Sequence, residues 1–254
     1  MFPLRDENPR SGGIPYATIT LIILNFSAWI LIQGAGNQSV LAQSLCLYGL
    51  IPADLLGNFD PGMSIAITDQ LACQFSESSN IKSLLTSMFL HGSWFHLLGN
   101  MWFLWVFGDN IEDIMGPFRF VAFYILCGLG AAATQISTDT SSIIPMVGAS
   151  GAIGGVMGAY AFLFPRAKIY TLIVLGFFIT TAAVPAILML GYWFLIQLLQ
   201  GLPALGSSQG GVAFWAHIGG FAAGIALIHV FKRKSLLTAH NTPPDRRASH
   251  SKLF

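Results

Sequence analysis

Four residues of this sequence could do chemistry together: Ser150, His217, His96 and Asn100. A serine hydroxyl is a weak nucleophile until a neighbouring base takes its proton. His217 is a candidate for that base, because imidazole titrates near neutrality. Ser150 lies in Gly148-Ala149-Ser150-Gly151-Ala152, a small-residue turn that lets a carbonyl approach the backbone closely. At a helix N-terminus the first N–H groups have no intrahelical partner. Those donors suit a developing oxyanion, together with the Asn100 amide and with His96, four residues away on the same helical face. Each residue also has a plainer reading: Ser150 as an N-cap, His96 and Asn100 as interhelical glue, and His217 as a packing histidine.

These residues have to be positioned by membrane helices. Only 9% of the chain is charged and 54% is hydrophobic, against about 25% charged in a soluble domain. No acidic or basic residue occurs between Ser11 and Ala53, between Ser83 and Gly108, or between Ile169 and Phe231. A span needs about 20 apolar residues. Six segments read as spans: Tyr16–Ile32, Trp94–Gly108, Phe120–Ile136, Ser150–Phe164, Pro185–Leu202 and Val212–Phe231. The expected fold is therefore an all-α, polytopic six-helix bundle. Residues 1–15 form a polar N-terminal segment, 16–232 the membrane domain, and 233–254 a basic, disordered tail. The connection from Gly34 to Ser93 is expected to be a folded cap on one face of the bilayer.

Ile169–Val184 is ambiguous. It is apolar but short, rich in β-branched residues and closed by Pro185. It lies at the interface or merges into the next helix in a six-span chain, or crosses alone in a seven-span one. Six spans with a cytoplasmic N-terminus leave Lys82 as the one basic residue outside, the asymmetry that the positive-inside rule predicts. Both termini are thus expected in the cytoplasm, with a bacterial plasma membrane as the expected location. The N-terminus lacks the pattern of a cleaved signal.

Depth brings the polar residues to one level. Asn100 lies six residues past Trp94 and His217 five past Val212, so both sit roughly 8–9 Å down from the outer surface. The fourth span is about 22 Å long against a core of about 30 Å, which places Ser150 about 8 Å down as well. Ser150, Gly154 and Gly158 fall at i, i+4 and i+8, while His217, Gly220 and Gly224 fall at i, i+3 and i+7. Small residues at such spacing let membrane helices approach closely, so the fourth and sixth helices are expected to set Ser150 beside His217.

Three stretches now carry a family resemblance: GASGA at 148–152, AHIGGFAAG at 216–224 and HGSWFHLLGN at 91–100. From about Tyr16 to Phe231 the chain resembles the rhomboid intramembrane serine proteases. That resemblance implies a Ser–His dyad, with Ser150 as nucleophile and His217 as general base and acid. It implies His96 and Asn100 as oxyanion-hole side chains, and a structural role for His91. It also implies transmembrane protein substrates and the lipid bilayer as partners, with no metal or cofactor. One departure concerns the position four after the serine, where some members carry a tyrosine against the histidine ring and this chain has Gly154. Trp215, or an aromatic of the second or fifth helix, is left to orient His217. The other reading is a non-catalytic rhomboid-like protein that binds membrane clients.

The remaining chemistry is sparse. A net charge of +1 gives no sign of nucleic acid binding, and no phosphate loop or metal-ligand cluster is present in the sequence. Cys46 and Cys73 both fall in the first external connection, where they are a disulfide or two free thiols; Cys127 reads as core. Glu112 and Arg119 read as structural residues of the short loop after the second helix.

Overall fold

Most of the long apolar runs become helices here, and one becomes a β-hairpin. The computed structural model describes residues 1–8, 13–58, 64–68, 71–74, 80–204 and 212–241. A first strand, β1 (Phe2–Asp6), precedes α1 (Tyr16–Leu31). The long connection then folds as α2 (Gln38–Tyr48), α3 (Pro52–Leu56), strands β2 (Ser64–Thr68) and β3 (Leu71–Gln74), and α4 (Ser83–Thr86). Asn37 starts α2, its side chain accepting from the Val40 N–H. Cys46 and Cys73 are joined in a disulfide with a Cα–Cα distance of 5.4 Å, tying α2 to β3.

The central helices follow: α5 (Trp94–Met115), α6 (Pro117–Thr138) and α7 (Ser150–Leu163). Strands β4 (Lys168–Leu175) and β5 (Phe178–Pro185) come next, then α8 (Ala186–Ala204), α9 (Phe214–Phe231) and α10 (Lys234–Asn241). By length and composition α6, α8 and α9 each suffice to cross a membrane, while α1 and α7 are apolar but shorter. The mean hydropathy of α5 is held down by His96, Asn100 and the Asp109–Asp113 stretch.

Several expectations are corrected. The chain is mostly helical but not all-α, since β1, β4 and β5 form one sheet and β2 and β3 another. The ambiguous Ile169–Val184 stretch is an antiparallel hairpin, in register from Lys168 opposite Pro185 to Leu175 opposite Phe178. Its β-branched residues favour an extended chain, and Gly176, at φ +59°, permits the tight reversal. The second span was expected to end at Gly108, yet α5 continues to Met115 because Glu112 is buried rather than solvated. The expected disordered tail opens with a helix, α10, whose His240 is buried 2.9 Å from Asp113 and 3.2 Å from Asn8. Pro243, Pro244 and the basic residues that follow lie outside the described residues, as do Asp60, Asp69 and Glu77 of the cap.

Polar contacts sort the molecule into two ends. At one, the Glu7 N–H donates to the Lys168 carbonyl and the Arg233 N–H to the Ile114 carbonyl. Asp6 joins that end, accepting from Tyr160 at 2.6 Å and from Asn110 at 2.8 Å. Burial pushes its carboxyl above the usual range. At the other end the cap closes over the start of α7: Leu50 bridges Met146, Ala53 donates to the Ser142 carbonyl and Gly148 to the Ser87 carbonyl.

Glu112 and Arg119 are structural, as expected, but both lie on helices. Glu112 accepts from the Ala17 N–H at 2.9 Å, the Thr18 N–H at 2.8 Å and the Thr18 hydroxyl at 2.8 Å. It thus caps α1, whose own N-cap position, Pro15, offers no side-chain acceptor. Arg119 donates to the last carbonyls of α9, from Nε to Phe231 and from Nη2 to Val230, where a cation also suits the helix dipole.

Candidate active site

Helix α7 begins at Ser150 because Gly148 turns the chain there. Gly148 holds φ at +131°, a conformation that L side chains rarely adopt. A Cβ built on it would lie 2.8 Å from Cε1 and Nε2 of His96. The glycine therefore serves the turn and the approach of His96 at once. Ser150 is the first helical residue, so its N–H belongs to the set that lacks an intrahelical acceptor.

Helices α7 and α9 meet backbone to backbone. A Cβ on Gly220 would lie 1.9 Å from the Gly151 carbonyl oxygen, and one on Gly224 would lie 1.9 Å from that of Gly155. On the neighbouring stripe, Gly154 and Gly158 face the backbones of His217 and Phe221. The anticipated glycine contact is present, with Gly151 and Gly155 as the residues that receive Gly220 and Gly224. This approach brings His217 Nε2 to 2.8 Å from Ser150 Oγ.

The other imidazole nitrogen of His217 lies 2.7 Å from Gln197 Oε1, on α8. Trp193, one turn earlier on α8, sets its ring 5.7 Å from the His217 ring at an interplanar angle of 36°. The expected orienting aromatic is thus Trp193 of the fifth long helix. Trp215 turns elsewhere, donating from Nε1 to the Gly201 carbonyl at 3.0 Å. Gln197 was not singled out from sequence. Its one signal is a glutamine inside an apolar run, four residues after a tryptophan.

His96 and Asn100 share a cavity with Ser150 and His217. The cavity holds about 190 Å³, with Trp193, Ile153 and Met157 among its apolar walls. The Gly92 N–H donates to His96 Nδ1 at 3.3 Å. Since that nitrogen accepts, the neutral ring carries its proton on Nε2, the atom beside Gly148. Asn100 is buried, and its Nδ2 has no hydrogen-bond partner. A donor held unpaired in the cavity that Ser150 also lines suits an oxygen that acquires charge. His91 lies behind them, fully buried, with its ring 5.1 Å from that of His96. The Gln33 side chain grips the His91 backbone, accepting from its N–H at 2.8 Å and donating to its carbonyl at 2.7 Å.

All of these site residues except Gln33 fall within residues 78–234, the interval that matches a model of the Rhomboid domain. The chain is 28% identical over 149 residues to Rhomboid protein 1, mitochondrial, of Saccharomyces cerevisiae, covering 56% of this chain and 40% of that protein. It is 38% identical over 76 residues to RHOMBOID-like protein 5 of Arabidopsis thaliana, covering 30% and 25% of the two. Against the Presenilin-associated rhomboid-like protein, mitochondrial, of Mus musculus it is 35% identical over 88 residues, covering 34% and 23%. The chain thus spans two fifths or less of the length of these relatives. Two of the three are named as mitochondrial, which lends no support to the expected bacterial plasma membrane.

Proposed function

The chain belongs to the rhomboid family and is an integral membrane protein, and on that premise we propose that it is an intramembrane serine endopeptidase working through a Ser150–His217 dyad. The observation that carries this reading is the 2.8 Å contact between His217 Nε2 and Ser150 Oγ. A base in that position takes the hydroxyl proton as Ser150 attacks a peptide carbonyl. The oxyanion that forms is held by the Ser150 N–H, by His96 Nε2–H and by the Asn100 amide. His217 then returns the proton to the leaving amine, and water hydrolyses the acyl-enzyme by the same steps in reverse.

The substrates on this reading are other membrane proteins. A substrate helix unwinds beside α5 and α8 and offers a peptide bond to the cavity, which both helices line. Six helices cross the bilayer: α1, α5, α6, α7, α8 and α9. An even number of crossings is supported by the meeting of β1, the β4–β5 hairpin and Arg233 at one end. The excess of basic residues assigns that end to the cytoplasm.

The test is labelling of the purified protein in detergent with a fluorophosphonate probe, alongside Ser150→Ala and His217→Ala. Labelling of the wild type that is lost in both variants is the expected result. A folded wild type that neither labels nor cleaves a membrane-embedded reporter overturns the proposal in favour of client binding without catalysis.

A further inference from the structure

The dyad leaves one nitrogen of His217 to be accounted for. Imidazole is a base at Nε2 only while its proton resides on Nδ1, and in a neutral ring either nitrogen can carry it. Gln197 Oε1 lies 2.7 Å from Nδ1, and the Gln197 side chain is buried. Its amide is held the right way round, because Nε2 donates to the Trp193 carbonyl at 3.5 Å, one turn back on α8. A carbonyl accepts only, so the nitrogen of the amide faces it and the oxygen faces His217. An amide oxygen likewise accepts only, so Nδ1 must donate and Nε2 is left free to receive the Ser150 proton.

We propose that Gln197 is a positioning residue that fixes the working tautomer of His217 and completes a Ser150–His217–Gln197 hydrogen-bonded series on three helices. The inference rests on the protease reading and deepens it. The role is the tautomer-setting part of what an aspartate does in a soluble serine protease, where replacing that acceptor by a group that favours the wrong tautomer slows turnover by about 10⁴. A neutral oxygen does it here without bringing a second ionised group into an apolar bundle. Helix α8 contributes Trp193 to the ring and Gln197 to the proton. Around His217, the facing groups are Ser150 from α7, His96 from α5, and Trp193 and Gln197 from α8. Of these only His96 carries a titratable side chain besides the Ser150 hydroxyl.

Two variants and two readouts test the inference. Gln197→Leu removes the acceptor and keeps the volume; Gln197→Glu keeps the acceptor and adds charge. With a membrane-embedded reporter, Gln197→Leu is expected to lower kcat by about tenfold to a hundredfold with KM little changed. Gln197→Glu is expected to retain more activity than Gln197→Leu. Its profile of kcat against pH should show the acid limb moved to higher pH, since a carboxylate beside imidazole favours the charged ring. If Gln197 merely packed α8 against α9, the buried charge would make Gln197→Glu the worse variant, and that order overturns the proposal. The second readout needs no turnover: nitrogen-15 spectra of histidine-labelled protein, with the His217 signals assigned by their loss in His217→Ala. Wild type should show His217 protonated at Nδ1, and Gln197→Leu a shift toward Nε2. Unchanged His217 signals in folded Gln197→Leu overturn the positioning role even where cleavage is seen. Loss of Nδ1 protonation in a chain that cleaves nothing upholds it and removes only the protease reading.

Discussion

A Cβ on Gly220 of α9 would lie 1.9 Å from the carbonyl oxygen of Gly151 on α7. The clash is with main chain, which has no rotamer to move, so any side chain at 220 must push the two helices apart. That motion lengthens the Ser150–His217 contact at the top of the same pair. Gly220→Ala is expected to lose stability at or above the usual 1–3 kcal/mol of overpacking and to lose fluorophosphonate labelling. Gly191 of α8, where a Cβ would meet nothing within 4 Å, is the control. Gly191→Ala should leave the melting temperature unchanged or raise it slightly. Equal melting temperatures for the two variants would remove the close-packing account.

Gly148 offers a cleaner separation of chemistry from folding. Its φ of +131° and its 2.8 Å approach to His96 both exclude a side chain. Gly148→Ala should displace His96 from the oxyanion position while the α7–α9 seam stays closed. Loss of one oxyanion donor lowers kcat by on the order of 10²–10³, and that is the expected effect, with a smaller change in melting temperature. A variant that turns over at the wild-type rate would show that His96 is not needed at that position.

How far the site was legible follows from where polar residues are rare. Ser150, His217, His96 and Asn100 stood out because polar side chains are rare and costly in apolar helices, and these four coincide in depth. The glycine stripes were legible for the related reason that small residues recur at helical spacing. Gln197 escaped because a lone uncharged amide inside an apolar run matches no motif, and its partner lies on another helix. The β4–β5 hairpin was half visible: its β-branched run argued for strands, while its hydropathy argued for a span. Helix α5 was read as ending at Gly108 because Asp109 and Glu112 look like loop. Only the fold reveals that Glu112 points into the open N-terminus of α1.

That cap makes its own prediction. Three donors converge on the buried Glu112 carboxylate, two of them backbone N–H groups of the first turn of α1. Truncation strands all three in an apolar setting. Glu112→Ala should destabilise by about 1–3 kcal/mol or more, read as a lower melting temperature in detergent. Ser150 lies at the far end of the molecule, so labelling of the protein that remains folded should persist. Labelling lost at a temperature where Glu112→Ala is still folded would place Glu112 in the chemistry instead.

Asn100 should show the opposite pattern. Its buried Nδ2 lacks a partner, a state that costs about 1–3 kcal/mol in a folded protein. Asn100→Ala removes that cost and opens onto an existing cavity. Melting temperature is expected to hold or rise, while kcat falls by on the order of 10². A destabilised variant with normal kcat would mark Asn100 as interhelical glue.

His91 ties folding to pH. Burial, reinforced by the facing His96, pushes it from 6.5 down to about 3. Between pH 6.5 and about 3 the unfolded chain therefore binds a proton that the folded chain refuses. The stability associated with neutral His91 is complete above 6.5 and is lost progressively as pH falls through that window. Asp6 and Asp54 act with the opposite sign, since burial raises both above 3.8. Their contribution is present at low pH and disappears as pH rises through their folded values. The wild-type slope alone therefore mixes the two, and a variant is needed to isolate His91. His91→Leu keeps the buried volume, removes the titration and leaves no side-chain partner stranded. The melting temperature of the wild type should fall more between pH 7.5 and 5 than that of His91→Leu. Parallel slopes would mean that His91 is protonated alike in the folded and unfolded chains, and that its burial against His96 does not hold in the membrane protein.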